Sequence, residues 1–317
     1  MIPDRKNMKF AFLILAHEDP AQLRRLIHAL DDPHFDIYVH IAAHAELSDY
    51  GFDAYQLRHS RLTVLDEQIR TYWGDISLVD VMLALYRRAF ENGPYDRYIT
   101  LSGLDYPLKS NREILNTLAD TNREFISARP LLGDLDFKIR GIYLWKHHLL
   151  ARIARHLVCN YRVVMHPSRL KLRKGDWHKS QVYFSSQWHA LSGESVEYLL
   201  KTLDENPRIR QFFRWAYAPD ELLIPTVLCN SPFAQRMIPG NFPEGQDFEE
   251  LFVTIPAIHC LRREKKNVIV FREADYDLLM DSGKLFCRKV RTGISDSLLD
   301  RVDQHRNKLK GGSPYGN

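Results

Sequence analysis

Apolar residues along the chain fall into two alternating patterns. Short continuous apolar runs, typical of buried parallel strands, cover residues 9–16, 35–41, 62–65, 98–101 and 124–127. Between these runs, apolar residues recur every three or four positions, as on one face of an amphipathic helix. Strands that alternate with helices predict an α/β fold, with a mostly parallel central sheet and helices on both faces.

Polar residues at the boundaries of these runs mark helix starts. The predicted helix after Asp75 carries an apolar face formed by Val79, Met82, Leu83, Tyr86 and Phe90. The other predicted starts are Asp19-Pro20, the capping box Ser110 to Glu113, Ser192, Pro219-Asp220 and Ser295.

The run 98–101 is followed by Ser102-Gly103-Leu104-Asp105, at the carboxyl end of the predicted central strand. We expect Gly103 to adopt backbone angles that a branched residue cannot. Ligands of α/β sheets bind at this edge, so Asp105 is predicted to face a cleft. A turn-forming aspartate after a core strand is the simpler alternative.

Composition narrows the function classes. A chain of 317 residues, 45% of them apolar, is long enough for one large core or two smaller ones. The net charge of +4 is too small to indicate nucleic-acid binding. The cysteines lie too far apart in sequence to indicate a zinc site or a disulfide framework. Since no apolar run could span a bilayer, we expect a soluble cytoplasmic protein.

One segment, residues 138–179, is strongly basic. Eleven lysines and arginines lie there against a single acid, Asp176, and apolar residues are interleaved with them. A basic amphipathic helix of this kind can rest on the anionic inner face of a membrane or hold an acidic acceptor. A solvated insert with one buried face explains the same pattern, so both interpretations remain open.

A Rossmann-type dinucleotide or methyltransferase site is disfavoured. Such a site needs glycines after the first strand, where the backbone approaches the ligand, but the first glycine of this chain is Gly51. The absence of a glycine-rich loop after the first strand also disfavours a nucleotide-sugar pyrophosphorylase.

Seven short motifs follow one another between residues 12 and 289. They are Phe12-Leu-Ile-Leu-Ala-His17, Tyr38-Val-His-Ile41, Trp73-Gly-x-x-Ser-Leu-Val79, Ser102-Gly-Leu-Asp-Tyr-Pro-Leu108, Ser186-Gln-Trp188, Pro219-Asp-Glu221 and Leu285-Phe-x-Arg-Lys289. In this order they resemble the core-2/I-branching glycosyltransferase family, which joins β-1,6-N-acetylglucosaminyltransferases with peptide O-xylosyltransferases.

The resemblance implies a GT-A fold and an inverting transfer of N-acetylglucosamine or xylose. The donor would be a UDP-sugar, and the acceptor a hydroxyl of a glycan or lipid-linked glycan. Glu221 corresponds to the family's general base. Lys266 and Lys289, with Arg288 beside the latter, correspond to cations that replace a divalent metal at the diphosphate, so no cofactor is expected. A bacterial protein without the membrane anchor of its animal relatives is the expected setting.

The same resemblance assigns residues to two parts of a pocket. His17 and Ile41 would line the nucleoside site, with Asp105 at the donor sugar. The acceptor and sugar pocket would be formed by Trp73, Gln187, Trp188 and Asp220, with core packing as the alternative role of Trp73. We expect Glu221 and Lys289 to face this pocket from opposite sides.

Two features depart from this assignment. Many relatives carry an aspartate that contacts the nucleoside after the second strand, where this chain has Ala42. A non-catalytic nucleotide- or glycan-binding protein is therefore the alternative function, and His44 or Glu46 could supply the lost contact.

Asp-x-Asp, a manganese-binding pattern of many GT-A enzymes, occurs at 134–136 and 275–277, but neither copy follows the central strand.

We predict one domain, residues 1–310, followed by a flexible tail, 311–317. Within it, residues 8–130 would form the nucleotide-binding half, residues 137–179 a basic helical insert, and residues 180–310 the acceptor and diphosphate half.

Overall fold

The computed structural model describes residues 7–119, 121–131, 137–143, 162–164, 181–238, 256–264 and 267–310. The strands are β1 (Phe10–Ala16), β2 (Phe35–Ile41), β3 (Leu62–Val64), β4 (Arg97–Ser102), β5 (Asp105–Pro107), β6 (Glu124–Pro130), β7 (Gly141–Tyr143), β8 (Arg162–Val164), β9 (Tyr183–Ser185), β10 (Ala190–Ser192), β11 (Met237–Ile238), β12 (His259–Leu261), β13 (Arg263–Glu264), β14 (Asn267–Val268) and β15 (Phe286–Arg288). The helices are α1 (Pro20–Ala29), α2 (Ile76–Asn92), α3 (Asn111–Ala119), α4 (Phe137–Arg140), α5 (Gly193–Glu205), α6 (Arg208–Phe213), α7 (Leu223–Cys229), α8 (Tyr276–Asp281) and α9 (Asp296–Lys310).

The central sheet has the strand order β11-β6-β10-β4-β1-β2-β3, with β9 paired to β6. The four strands β4-β1-β2-β3, which end at the edge strand β3, are all parallel. The short strand β10 runs antiparallel between β4 and β6. The predicted α/β class with a mostly parallel sheet is confirmed.

Helices cover both faces of this sheet, because successive side chains of each strand point to opposite sides. On one face, Phe12 and Ile14 of β1 pack with residues of α1 and α3. On the other, Leu13 packs with residues of α2, α5 and α7. These β1 side chains on both faces are fully buried, which explains why the parallel strands appear in the sequence as continuous apolar runs.

The predicted helix starts are largely confirmed. Asp19 and Asp75 accept hydrogen bonds from the backbone N–H groups of Gln22 (3.1 Å) and Ser77 (3.0 Å). The capping box at Ser110 and the cap at Ser192 also form. Two details were wrong: Phe90 of α2 is 41% exposed rather than buried, and Pro219–Glu221 is a 3-10 turn that precedes α7.

Gly103 is required for a reason other than the predicted one. The structure gives it no left-handed backbone angle. Instead, its N–H donates to the carbonyl of Leu15 (2.9 Å), and an added Cβ would lie 2.9 Å from the Cβ of Ala16. A side chain is therefore excluded by the close approach of the loop after β4 to the end of β1.

A second, smaller sheet joins the segment after β4 to two strands from the last part of the chain. β15 lies between β12, which is parallel to it, and β5, which is antiparallel. This pairing sets Arg288 opposite Asp105. The strand predicted over 267–271 is shorter than expected, since β14 covers only Asn267–Val268.

Several sequence predictions fall outside the described residues. They include most of the basic segment 138–179, and with it the predicted membrane contact, as well as Lys266, the Asp-x-Asp copy at 134–136 and the tail 311–317. Lys138 is described, and its side chain is fully buried rather than part of a basic surface. Among the helices that the structure describes, none has the length and apolar character needed to cross a membrane.

Candidate active site

The carboxyl ends of the parallel strands bring most of the predicted site residues to one edge of the sheet. The N–H of Ala42 donates to the carbonyl of Ala16 (2.9 Å), which places the residue after β2 beside the end of β1. The loop before β10 reaches the same edge, because Thr100 Oγ1 donates to the carbonyl of Gln187 (2.9 Å). Such an edge is where open α/β sheets bind ligands.

Asp105 does not face a cleft, contrary to prediction. Its side chain is fully buried, and Oδ2 accepts from the backbone N–H of Ser102 (2.7 Å) and lies 3.0 Å from Nε2 of His259. Oδ1 accepts from Nη1 of Arg288 (2.9 Å). Although burial opposes it, the positive charge of Arg288, together with His259, lowers the pKa of Asp105.

Positive groups gather next to Asp105. The guanidinium carbon of Arg288 lies 4.6 Å from the centre of the Trp188 ring, which is itself buried beneath it. Burial and the neighbouring charges of Arg288 and Arg291 lower the pKa of Lys289. Lys289 thus lies beside two other cations, and an anionic ligand would favour its charged form. We call Arg288, Lys289 and Arg291 the cationic cluster.

His17 borders the cationic cluster. Its pKa is lowered by burial and by the proximity of His44, Arg288 and Lys289, while Glu18 acts in the opposite direction. The rings of His17 and His44 lie 5.6 Å apart. The side chains of Ile41 and Ala42 are buried, and Ile41 packs in the core, so its side chain does not line an open site.

Glu221 lies in a second group at the other end of this edge. Its Oε2 accepts from Nζ of Lys138 (2.5 Å); the lysine side chain is fully buried and that of Glu221 is 12% exposed. The ammonium of Lys138 lies 4.7 Å from the ring centre of Phe184 and 5.1 Å from that of Tyr217. The carboxylate is thus fixed by a buried cation, and its side chain is only partly exposed.

Asp220 is buried rather than exposed to an acceptor, which differs from the sequence assignment. Burial, followed by the negative charge of Glu221, raises the pKa of Asp220 to about 7, although Lys138 acts in the opposite direction. Within the described part of the chain, its Oδ1 has no hydrogen-bond partner. A protonated carboxyl here would leave Glu221 as the charged partner of Lys138.

Aromatic rings extend from Glu221 toward solvent. Trp73 is 71% exposed and packs edge-to-face on Tyr217, with ring centres 5.7 Å apart. The ring of Tyr217 also contacts Phe137 (5.6 Å) and Tyr143 (5.1 Å). A hydrogen bond from the N–H of Ala218 to the carbonyl of Gly74 (3.1 Å) fixes this group next to the start of α2. An exposed indole on a packed base is suited to one face of a sugar ring.

Three residues of these groups were not singled out from the sequence. Lys138 was counted in the basic segment, although the apolar neighbours Phe137 and Ile139 were a signal that it could be buried. His259 and Tyr217 carried no comparable signal, because each acquires its partners through contacts distant in sequence.

An open cavity of about 330 Å³ lies elsewhere, beside the edge strand β3. Its lining includes Phe52, Asp53, Tyr55 and Leu62. The charged groups described above do not contribute to it, so the candidate site is defined by its side chains rather than by this cavity.

A family model described as "Core-2/I-Branching enzyme" matches residues 10–241, which span the central sheet from β1 to β11. The chain belongs to the core-2/I-branching enzyme family. The match confirms the family resemblance, and a glycosyltransferase is the class of protein that it indicates.

Curated relatives of this core-2/I-branching chain are xylosyltransferases. "Xylosyltransferase 1" of Rattus norvegicus is 24% identical over 98% of the chain, and "Xylosyltransferase 2" of Canis lupus familiaris is 22% identical over 99%. The matches cover 36% and 35% of those proteins, so the chain spans about a third of their length. The solved apo structure of mouse xyloside xylosyltransferase 1 overlaps 73% of the chain at 10% identity with a TM-score of 0.33, too low to add to the assignment.

Proposed function

We propose that the chain transfers a sugar from a UDP-sugar to a hydroxyl group of a glycan acceptor, with inversion at the anomeric carbon. The observation that carries this proposal is the carboxylate of Glu221, which a buried lysine holds at the ligand-binding edge of the sheet. Family membership gives the reaction class, and the geometry supplies a candidate for each chemical role.

The reaction needs a base and a stabilised leaving group. The acceptor oxygen would form a bond to the anomeric carbon while its proton passes to Glu221. The bond from that carbon to the β-phosphate oxygen would break, and its electron pair would leave with UDP. The transition state has oxocarbenium character, as in other glycosyl transfers. Lys289 and Arg288 are proposed to bind the developing negative charge of the diphosphate.

We also propose that no divalent metal takes part. Cations of the cluster can fill the role that a metal has at a diphosphate. The described Asp-x-Asp copy is poorly suited to bind one: Asp275 accepts from Nη1 of Arg262 (2.6 Å) and from the N–H of Arg272 (2.8 Å). Chelation of divalent metals should leave turnover unchanged, and loss of activity that manganese restores would contradict this part of the proposal.

The relatives are named xylosyltransferases, so UDP-xylose is the first donor to test, followed by UDP-N-acetylglucosamine. A thermal-shift screen of UDP-sugars should show stabilisation by the true donor, because a ligand that binds only the native state raises its stability. Product analysis by NMR should then show a β linkage from an α-linked donor. Retention of configuration would exclude the proposed single displacement.

Ala42 favours a second candidate, a nucleotide-binding protein without turnover, since the carboxylate expected at this position is missing. Binding of UDP without transfer to any of a panel of glycan acceptors would support that candidate.

A further inference from the structure

The carboxylate of Asp105 is already occupied by the protein itself. Its three neighbours are the N–H of Ser102, Nε2 of His259 and Nη1 of Arg288, at 2.7, 3.0 and 2.9 Å. Both oxygens are used and the side chain is fully buried. A direct contact from Asp105 to a sugar or nucleotide is therefore unsuited to this geometry, although its motif lies in the middle of the family pattern.

His259 is fully buried on the far side of this carboxylate. Its ring stacks on Phe286 with centres 5.4 Å apart, and Nδ1 has no hydrogen-bond partner among the described residues. Because the carboxylate oxygen of Asp105 can only accept, Nε2 is the ring nitrogen that carries the proton of this hydrogen bond. The histidine fixes the second oxygen of Asp105 and leaves the first for Arg288.

Of the three residues His259, Asp105 and Arg288, Arg288 is the one whose side chain reaches the candidate site. Its side chain is 14% exposed, and its guanidinium carbon lies 4.6 Å from the centre of the Trp188 ring. Within the described residues, the hydrogen bond from Nη1 to Asp105 is the one that the guanidinium makes. Its other N–H groups remain for a ligand beside Lys289.

We propose that Asp105 and His259 are positioning residues that aim Arg288 at the diphosphate of the donor. This inference rests on the proposed function and adds to it: the buried pair holds the guanidinium between a carboxylate and an indole, so that it is prepared before the donor binds. A preformed cation binds an anion without the cost of ordering a long side chain at that moment.

The positioning role can be separated from simple strand pairing. β5 and β15 are joined by their own antiparallel ladder, in which Cys287 faces Tyr106 and Phe286 faces Pro107. That ladder does not need the carboxylate. Loss of the carboxylate should therefore change the orientation of the Arg288 side chain without separating the two strands.

The test measures UDP affinity by calorimetry on the whole chain, without any requirement for turnover. Arg288→Ala should weaken UDP binding at least tenfold, and Asp105→Asn by roughly tenfold, since charge-assisted contacts to a phosphate are lost or misdirected. His259→Phe keeps the stacked ring and removes only the hydrogen bond, so it should fold even if Asp105→Asn does not. We expect it to weaken UDP binding roughly threefold.

A double-mutant cycle supplies the decisive comparison. If Asp105 acts through Arg288, then Asp105→Asn should have no further effect on UDP affinity in an Arg288→Ala background. Asp303→Asn is the matched control, because Asp303 accepts from Tyr106 of the same strand β5 and from Arg25, away from Arg288. It should lower the melting temperature and leave UDP affinity unchanged.

The outcomes separate this inference from the proposed function. If the parent binds UDP and Arg288→Ala weakens binding, the donor site is supported. Unchanged affinity in both His259→Phe and Asp105→Asn would then overturn the positioning role alone, as would additive effects in the cycle. A parent chain that does not bind UDP would contradict the proposed donor, and the inference with it.

Discussion

Lys138 and Glu221 form an ion pair in which nitrogen and oxygen lie 2.5 Å apart. The lysine side chain is fully buried, and the glutamate side chain is 12% exposed. The two residues are 83 positions apart in sequence. The proposed base is therefore oriented before a substrate arrives, and its side chain is partly exposed.

Replacement of Lys138 by methionine should destabilise the fold. The change removes the cation and leaves the carboxylate of Glu221 in a largely buried place, for which losses of about 3 kcal/mol are typical. Urea unfolding monitored by fluorescence measures the change. Adding Glu221→Gln to the variant should restore part of the loss, and a double variant no more stable than Lys138→Met alone would show that the pairing is unimportant.

Asp220 should make stability depend on pH between about pH 4 and about pH 7. Its pKa is raised to about 7 in the folded state, chiefly by burial, from an ordinary value of 3.8. The folded state therefore holds the proton more tightly than the unfolded state, so the stabilisation is complete below the ordinary pKa of 3.8 and is lost as the pH rises from there through about 7.

Asp220→Asn cannot ionise, so the variant should gain stability relative to the parent as the pH rises from about 4 to about 7, and it should keep that gain at higher pH. Thermal unfolding across this range measures the difference. Asp66→Asn, whose side chain is 93% exposed, is the control and should follow the parent. A constant difference between Asp220→Asn and the parent would contradict the raised pKa.

Trp73 should contribute to acceptor binding rather than to the fold. Because the indole is 71% exposed, Trp73→Ala should change the melting temperature little. The acceptor KM should rise roughly fivefold while the donor KM stays the same, since an aromatic contact of this kind is worth about 1 kcal/mol. Phe90→Ala is the control, as this exposed ring lies near the far end of α2, about 21 Å along the helix from its first residue. Equal effects of the two substitutions would contradict the assignment.

Gly103→Ala should destabilise the chain by about 1 to 3 kcal/mol, the usual range for overpacking. The new Cβ would lie 2.9 Å from that of Ala16, so one of the two loops at the site edge has to move. Ala16→Gly removes the opposing methyl group, and the double variant should recover part of the loss. Chemical denaturation measures all three variants, and a fully tolerated Gly103→Ala would show that the approach is not close.

The sequence predicted the parts of the fold that are encoded locally. The apolar runs gave β1, β2 and β4, and polar caps such as Asp19 and Ser192 located helix starts, because strand burial and capping depend on nearby residues. The family motifs led to Glu221 and Arg288.

Contacts between distant segments could not be predicted in the same way. The burial of Asp105 depends on His259, which lies 154 residues away, and the burial of Lys138 depends on Glu221. A carboxylate after a strand has the same sequence pattern whether it faces a ligand or an arginine of its own chain. For Asp105, the small sheet β12-β15-β5 decides between these two cases.

Glu221→Gln tests the central claim most directly. The amide keeps the size of the side chain but cannot accept the acceptor proton, so transfer should fall by at least about a hundredfold. UDP affinity, measured on the same preparation, should stay within about twofold of the parent. Glu113→Gln is the matched control, because glutamine can also complete a capping box, and it should transfer normally. Near-normal transfer by Glu221→Gln would contradict the assignment of the base.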